Sequence, residues 1–348
     1  MKTLEPIPNE LQAKTHRKPL MRAATVVRPM KIEIRETETP TPTPRQVLVR
    51  LEGCGVCASN IPPWEGKPWF TYPLAAGGLG HEGWGRIEAV GSAVTGFVPG
   101  ERVAMLSNNA YAEYDVAESE AVVKLPAQLD GEPFPGEPLG CAMNIFRRSG
   151  IRKGDTVAVV GAGFLGTLLI RLASKAGARV IAVSRRNYAL EVAREMGAWK
   201  TISLENREQA IDEVKKTTGG NFCDVVIEAT GKQSPLTTAG ELTRERGRLV
   251  IAGYHQDGLR QINLQLWNWR GLDVINAHER DPRIYLEGMR LAIGAVQFGQ
   301  IDPSPLYTHR LPLERLDEAL TMTAERPDGF MKALILFSTI WPPFRAAS

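Results

Sequence analysis

A short apolar run, Thr156-Val157-Ala158-Val159-Val160, leads straight into Gly161-Ala162-Gly163-Phe164-Leu165-Gly166. Beyond it Leu165, Leu168, Leu169 and Leu172 recur at helical spacing until Gly177. Apolar residues three and four apart line one face of a helix, whereas a short run rich in valine suits a strand buried on both faces. Strand, glycine turn and helix in that order define a parallel α/β unit. In such a unit the first glycine permits the tight turn, the second lets the backbone approach a pyrophosphate, and the third lets the helix pack closely on the sheet. The helix N-terminus then offers its amide N–H groups to the phosphates. The expectation is a dinucleotide held by Gly161, Gly163, Phe164, Leu165 and Gly166.

Further short apolar segments, at residues 179–183, 224–228, 248–252 and 273–276, alternate with amphipathic stretches. That alternation predicts a doubly wound parallel sheet with helices on both faces, a Rossmann arrangement in an α/β protein. Residues 21–121 read differently, as short strands between Gly/Pro turns, with Val47, Val49 and Leu51 sharing one face. After Arg280 the pattern predicts helices over 285–298 and 313–324 and a strand over 332–337. A chain of 348 residues accommodates two domains. The expected division is a β-rich catalytic domain from 1–150 and 287–348 and a dinucleotide-binding domain from 151–286, with residues 1–20 as an extension.

The second predicted strand of the parallel sheet ends at Ser184-Arg185-Arg186. An acidic residue at this point would accept hydrogen bonds from the adenosine ribose of NAD and repel a 2′-phosphate. A hydroxyl and two guanidiniums instead suit that phosphate, so the expected cofactor is NADP, with NAD the alternative if the arginines only face solvent.

The 42 basic and 39 acidic residues are spread along the chain without a basic stripe, which argues against nucleic acid as a partner. No apolar stretch is long enough to span a bilayer, and residues 1–20 lack the apolar core of a secretion signal. Cys54, Cys57, Cys141 and Cys223 are too few for a disulfide framework in a chain of this length. A cytoplasmic protein with free thiols is expected.

Four of the residues upstream of the glycine loop can bind a metal: Cys57, His81, Glu82 and Glu137. Thiolate, imidazole and carboxylate suit tetrahedral Zn²⁺, and three protein ligands leave a position for a substrate oxygen. The segments that carry them are Gly53-Cys54-Gly55-Val56-Cys57-Ala58-Ser59, Gly80-His81-Glu82-Gly83 and Glu137-Pro138-Leu139. Together with Tyr111-Ala112-Glu113-Tyr114, the glycine loop and Thr308-His309-Arg310-Leu311-Pro312-Leu313, they occur in an order and spacing that resembles the zinc-dependent alcohol and polyol dehydrogenases of the medium-chain dehydrogenase/reductase superfamily. The resemblance runs from Met21 to about Phe337.

That resemblance implies a GroES-like catalytic domain beside the Rossmann domain. It implies that Cys57, His81 and Glu82 form the zinc site and that Glu137 ligates or exchanges with water, Cys141 being the reserve. It also implies that Ser59 begins a proton relay and that Arg310 meets the cofactor phosphates. Zinc acting as a Lewis acid would let an alcohol lose its proton near neutral pH while hydride passes to the nicotinamide. The implied substrate is a small polyol, sugar-like alcohol or secondary alcohol, or the matching carbonyl, and the implied assembly is a homodimer or homotetramer.

Three departures from the family pattern stand out. Only Leu106-Ser107-Asn108-Asn109-Ala110 separates Met105 from Tyr111, too short for the four-cysteine lobe of many relatives, so no structural zinc is expected. Asn60 stands where an aspartate often orients the zinc-bound histidine, which predicts weaker zinc affinity. Pro62 replaces a relay histidine. Trp64 is a candidate wall of the substrate pocket; His255, His278, Glu279 and Arg280 are candidates for the cofactor crevice. Two other functions fit parts of the sequence: a zinc-free NADPH-dependent reductase of activated double bonds, and a non-catalytic dinucleotide-binding sensor. The first needs no metal ligands and the second needs only the glycine loop.

Overall fold

In the computed structural model, which describes residues 19–337, Thr156–Val160 lies at the centre of a six-stranded parallel sheet. The spatial order is Lys200–Ser203, Arg179–Ser184, Thr156–Val160, Cys223–Glu228, Thr243–Ile251, Asp273–Asn276. The chain therefore runs outward from the first strand to one edge, returns, and runs outward to the other. This reversal opens a crevice at the carboxyl ends of the central strands, where dinucleotides bind. Val157 and Val159 join the apolar cluster on one face, while Ala158 and Val160 join the cluster on the other. Two-sided burial explains the unbroken apolar run; each fully buried Val, Leu or Ile contributes about 1.5–3 kcal/mol.

A seven-stranded sheet occupies the other half of the molecule. Gln46–Gly55 is its axis, pairing antiparallel with Gly83–Val90, Tyr114–Glu118 and Ala333–Leu336. Ala333–Leu336 in turn pairs with His309–Pro312, so the end of the described chain completes a sheet begun near its start. The α-helices Gly136–Ser149 and Pro282–Gln297 pack on one another and share an apolar cluster with the parallel sheet.

The predicted strands of the parallel sheet are present, with one addition. Lys200–Ser203 buries only Ile202 completely, so its sequence carries no apolar run, and it forms an edge. The predicted strand at 248–252 begins earlier, at Thr243. The predicted helix at 285–298 also begins earlier, at Pro282, where the Asp281 side chain accepts from Arg283 N–H. The segment 313–315 is a 3₁₀ turn before the helix Leu316–Glu325. Leu20 already belongs to the strand Leu20–Arg28, so the predicted extension ends before it; residues 1–18 lie outside the described part. Among the described residues no helix is long and apolar enough to cross a membrane.

Candidate active site

The glycine loop takes the form its sequence predicts. Gly161 has φ +106°, in the region that favours glycine. A Cβ on Gly166 would stand 1.9 Å from the Gly161 carbonyl oxygen, so only glycine lets the helix approach the turn. A Cβ on Gly163 would meet nothing within 4 Å, so the loop is open on that side. The helix Phe164–Lys175 starts there without a side-chain cap, leaving first-turn amides for an anion. The Phe164 ring turns inward: its centroid lies 6.0 Å from that of Tyr307, and Lys332 Nζ lies 5.0 Å from it.

At the end of the next strand, Ser184 is buried and Arg185 is exposed. Arg186, expected on the cofactor phosphate, is engaged elsewhere. Its Nη1 donates to Phe330 O at 2.5 Å and its Nη2 lies 3.8 Å from Met331 Sδ. Arg310 sits on the strand His309–Pro312, opposite Leu334.

Strand pairing assembles the metal-like cluster. Cys54 is opposite Gly83, and Gly55 N–H donates to Glu82 O, so the turn after one strand meets the turn before its neighbour. Cys57, His81 and Glu82 each bring a ligand atom into one group, all within 4.8 Å of one another. Among the described residues no other set of three such groups is brought together in this way. The His81 Nδ1 lies 2.9 Å from Leu79 O, which as acceptor fixes the tautomer and leaves Nε2 as the ligating nitrogen, 3.5 Å from Ser59 Oγ. Burial disfavours the imidazolium, but the Cys57 sulfur and the carboxylates of Glu137 and Glu82 outweigh it and raise His81 to about 10.

Leu79 reaches this position with φ +76°, a strained conformation for a branched side chain that costs about 1–3 kcal/mol. Its carbonyl serves two donors, because Asn60 Nδ2 also donates to it at 2.8 Å. Asn60 Oδ1 accepts from Tyr111 Oη at 2.8 Å and from Cys57 N–H at 3.2 Å. An aspartate could accept as this amide does but could not donate to Leu79. The histidine is therefore oriented chiefly by a backbone carbonyl, with Asn60 Nδ2 farther from its Nδ1 at 3.5 Å.

Glu82 is completely buried, and its countercharge comes from the far end of the chain. Lys332 Nζ lies 2.6 Å from both carboxylate oxygens and donates to Oε1. Oε2 faces Lys332 as an ion pair without an aligned hydrogen bond, and a carboxylate beside a thiol and an imidazole is a donor set that suits a thiophilic divalent cation. Glu137 lies outside the group of three. Its Oε1 accepts from Cys141 Sγ at 3.1 Å; burial raises its carboxyl, Glu82 adds to this and His81 opposes it. Burial and Glu137 push the Cys141 thiol well up, and Cys141 too lies outside the group of three.

Trp64 belongs to the core and not to a pocket wall. It is buried, and its Nε1 donates to Asp317 Oδ1 at 3.1 Å. His255 is locked between Glu228 Oε2 at 2.9 Å and Arg260 Nε at 2.8 Å, while the His278 ring stacks on Tyr254. Sequence reasoning missed Lys332, although it is the only charge at the head of the apolar run Ala333–Leu336. It also missed Gln256, whose Nε2 donates to Ser59 O at 3.0 Å and joins the parallel-sheet half to the cluster; nothing local marks it.

Comparison with known proteins agrees with this architecture. The zinc-binding dehydrogenase family matches residues 165–291, and the alcohol dehydrogenase GroES-like domain matches residues 43–127. An alcohol dehydrogenase of Cupriavidus necator is 28% identical over 379 aligned residues, covering 91% of this chain and 98% of its own. A sorbitol dehydrogenase of Halalkalibacterium halodurans is also 28% identical, over 79% of this chain and 87% of its own. Among solved structures, a zinc-binding dehydrogenase of Sinorhizobium meliloti 1021 bound to NADP superposes with a TM-score of 0.78 at 27% identity, over 92% of this chain and all of that one. With both family segments in order around one thiol, imidazole and carboxylate cluster, the chain belongs to the zinc-dependent alcohol and polyol dehydrogenases of the medium-chain dehydrogenase/reductase superfamily.

Proposed function

We propose that the protein transfers hydride between NADP(H) and a secondary alcohol or polyol, or the matching ketone, using a single zinc held by Cys57, His81 and Glu82. The observation that carries this is the convergence of a thiol, an imidazole and a buried carboxylate, with all three ligand atoms within 4.8 Å of one another. When bound, zinc supplies Lewis acidity toward a substrate oxygen. The chain's own residues supply the rest. Leu79 O holds the His81 ring in its ligating tautomer, and Lys332 balances the Glu82 charge. Ser59 Oγ, beside His81, would take the substrate's hydroxyl proton while handing its own to solvent water, since buried Pro62 has no group to carry it. The amides at the start of Phe164–Lys175 receive the pyrophosphate.

Relatives bearing the names alcohol, sorbitol and L-threonine 3-dehydrogenase support the substrate class. A zinc-free reductase of activated double bonds would leave the meeting of Cys57, His81 and Glu82 without a use. Metal quantification on gently purified protein, joined to an NADPH-linked screen of polyols, alcohols and ketones, tests the reading. One zinc per chain with ketone reduction is expected; full turnover by a zinc-free protein discards it.

The proposed domain division, 1–150 with 287–348 as the catalytic part and 151–286 as the dinucleotide part, is supported by the two separate sheets, while the helix Pro282–Gln297 crosses its second boundary and residues 1–18 and 338–348 lie outside the described part. The parallel sheet ends in the edge strand Asp273–Asn276, beside which Trp269 is 85% exposed and Val274 41% exposed. An open edge with apolar neighbours suits pairing with a second copy, and a homodimer joined there is the proposed assembly. Sedimentation velocity of Trp269→Glu should then show monomer, and an unaltered dimer would place the interface elsewhere.

A further inference from the structure

Arg326 ends the helix Leu316–Glu325 with φ +53°, where glycine would cost least. A long cationic side chain therefore stands at a position whose backbone disfavours it by about 1–3 kcal/mol, the kind of strain that collects at ligand clamps. The stretch that follows folds back against the parallel sheet. Arg186 holds it there, through Phe330 O at 2.5 Å and Met331 Sδ at 3.8 Å, so residues 330 and 331, shortly after Arg326, lie beside the end of the strand Arg179–Ser184.

That strand end adjoins the phosphate loop, since Gly161 N–H donates to Val183 O at 2.8 Å. Among the described residues, neither the Arg185 nor the Arg326 guanidinium has an ion pair or a hydrogen bond. Arg326 is exposed, yet partial desolvation of its guanidinium lowers its pKa and the charge of Arg185 lowers it further, which puts the two cations near one another. Asp328, two residues along, acts on Arg186.

We infer that Arg326 reaches across the cleft to complete, with Ser184 and Arg185, a site for the phosphate on the 2′-oxygen of the cofactor's adenosine ribose. This rests on the NADP reading above and adds to it a residue from the opposite sheet. The helix carrying Arg326 buries Leu316 and Leu320 in the cluster that contains Leu311, Ala333 and Ile335 of the seven-stranded sheet. A phosphate dianion between the guanidiniums turns a repulsion into two charge-assisted contacts and ties the two sheets together. A ribose hydroxyl offers neither charge nor a second acceptor oxygen, so NADH leaves the arginines opposed.

The test is a fluorescence titration of NADPH and NADH without substrate, on the unaltered protein, Arg185→Ala, Arg326→Gln and Arg326→Gly. The glycine variant suits the φ of this position, so loss of fold does not obscure its result. Both Arg326 variants should weaken NADPH by roughly tenfold to a hundredfold and leave NADH unchanged. Adenosine 2′,5′-bisphosphate should displace NADPH from the unaltered protein far better than adenosine 5′-monophosphate, and lose that advantage in Arg326→Gly. If the unaltered protein prefers NADPH and Arg326→Gly keeps the full preference, the role of Arg326 is overturned and the NADP reading stands. Equal weakening of both nucleotides overturns it too, as a structural effect. If the unaltered protein binds both nucleotides alike, the NADP reading itself has failed.

Discussion

Replacing Cys57 by alanine should lower NADPH-linked turnover by about a thousandfold or more, because the Lewis acid it helps to hold contributes several kcal/mol. The other two members of the group, His81 and Glu82, cannot close a tetrahedral site alone, so zinc content should fall with turnover. NADPH binding should be unaffected, since the glycine loop and Ser184 belong to the other sheet. Steady-state kinetics, metal content and a nucleotide titration on one preparation separate these effects. Undiminished turnover across alcohols and ketones would remove Cys57 from the chemistry altogether.

The second large effect is on stability. Lys332→Met leaves the Glu82 carboxylate buried without its ammonium partner, and breaking a buried pair in this way costs about 3–5 kcal/mol, less whatever the neighbouring His81 offsets. That is a large share of the roughly 5–15 kcal/mol that holds a typical protein folded. Urea unfolding of metal-free protein should show it. Adding Glu82→Gln in the same chain should recover most of the loss, and zinc should recover part of it in Lys332→Met alone by supplying the missing positive charge. A loss below about 1 kcal/mol, the size of a surface pair, would mean that water reaches the site.

What the sequence revealed depended on how far apart the cooperating residues lie. The turn at Gly161 and the close approach of Gly166 are settled within one strand, turn and helix, and their spacing is legible by itself. Cys57 and the His81-Glu82 pair lie just beyond the ends of adjacent antiparallel strands, and their residue types there sufficed to suggest a metal group. Lys332, Gln256 and Arg326 act on partners far away in the chain, and no local periodicity reports such meetings. Arg186 illustrates the converse: its position promised a phosphate, but the Phe330 carbonyl, 144 residues away, takes its guanidinium. Asn60 reads as a weakened aspartate until Leu79 is seen to need a donor. Trp64 looked like a pocket wall because its neighbours in sequence flank the cluster, yet Asp317 draws its indole into the core.

The pairing of Glu82 with Lys332 spans 250 positions and joins the early part of the chain to the last described strand. During synthesis from the N-terminus, the strands that bury Glu82 leave the ribosome long before the lysine that neutralises it. Until then the half-made sheet lacks both its countercharge and the strand Ala333–Leu336 that seals its edge. A chain stopped short of Lys332 would carry a complete nucleotide loop beside a catalytic half that cannot close. Such a truncated product would be a target for chaperones and proteases rather than a partly active enzyme.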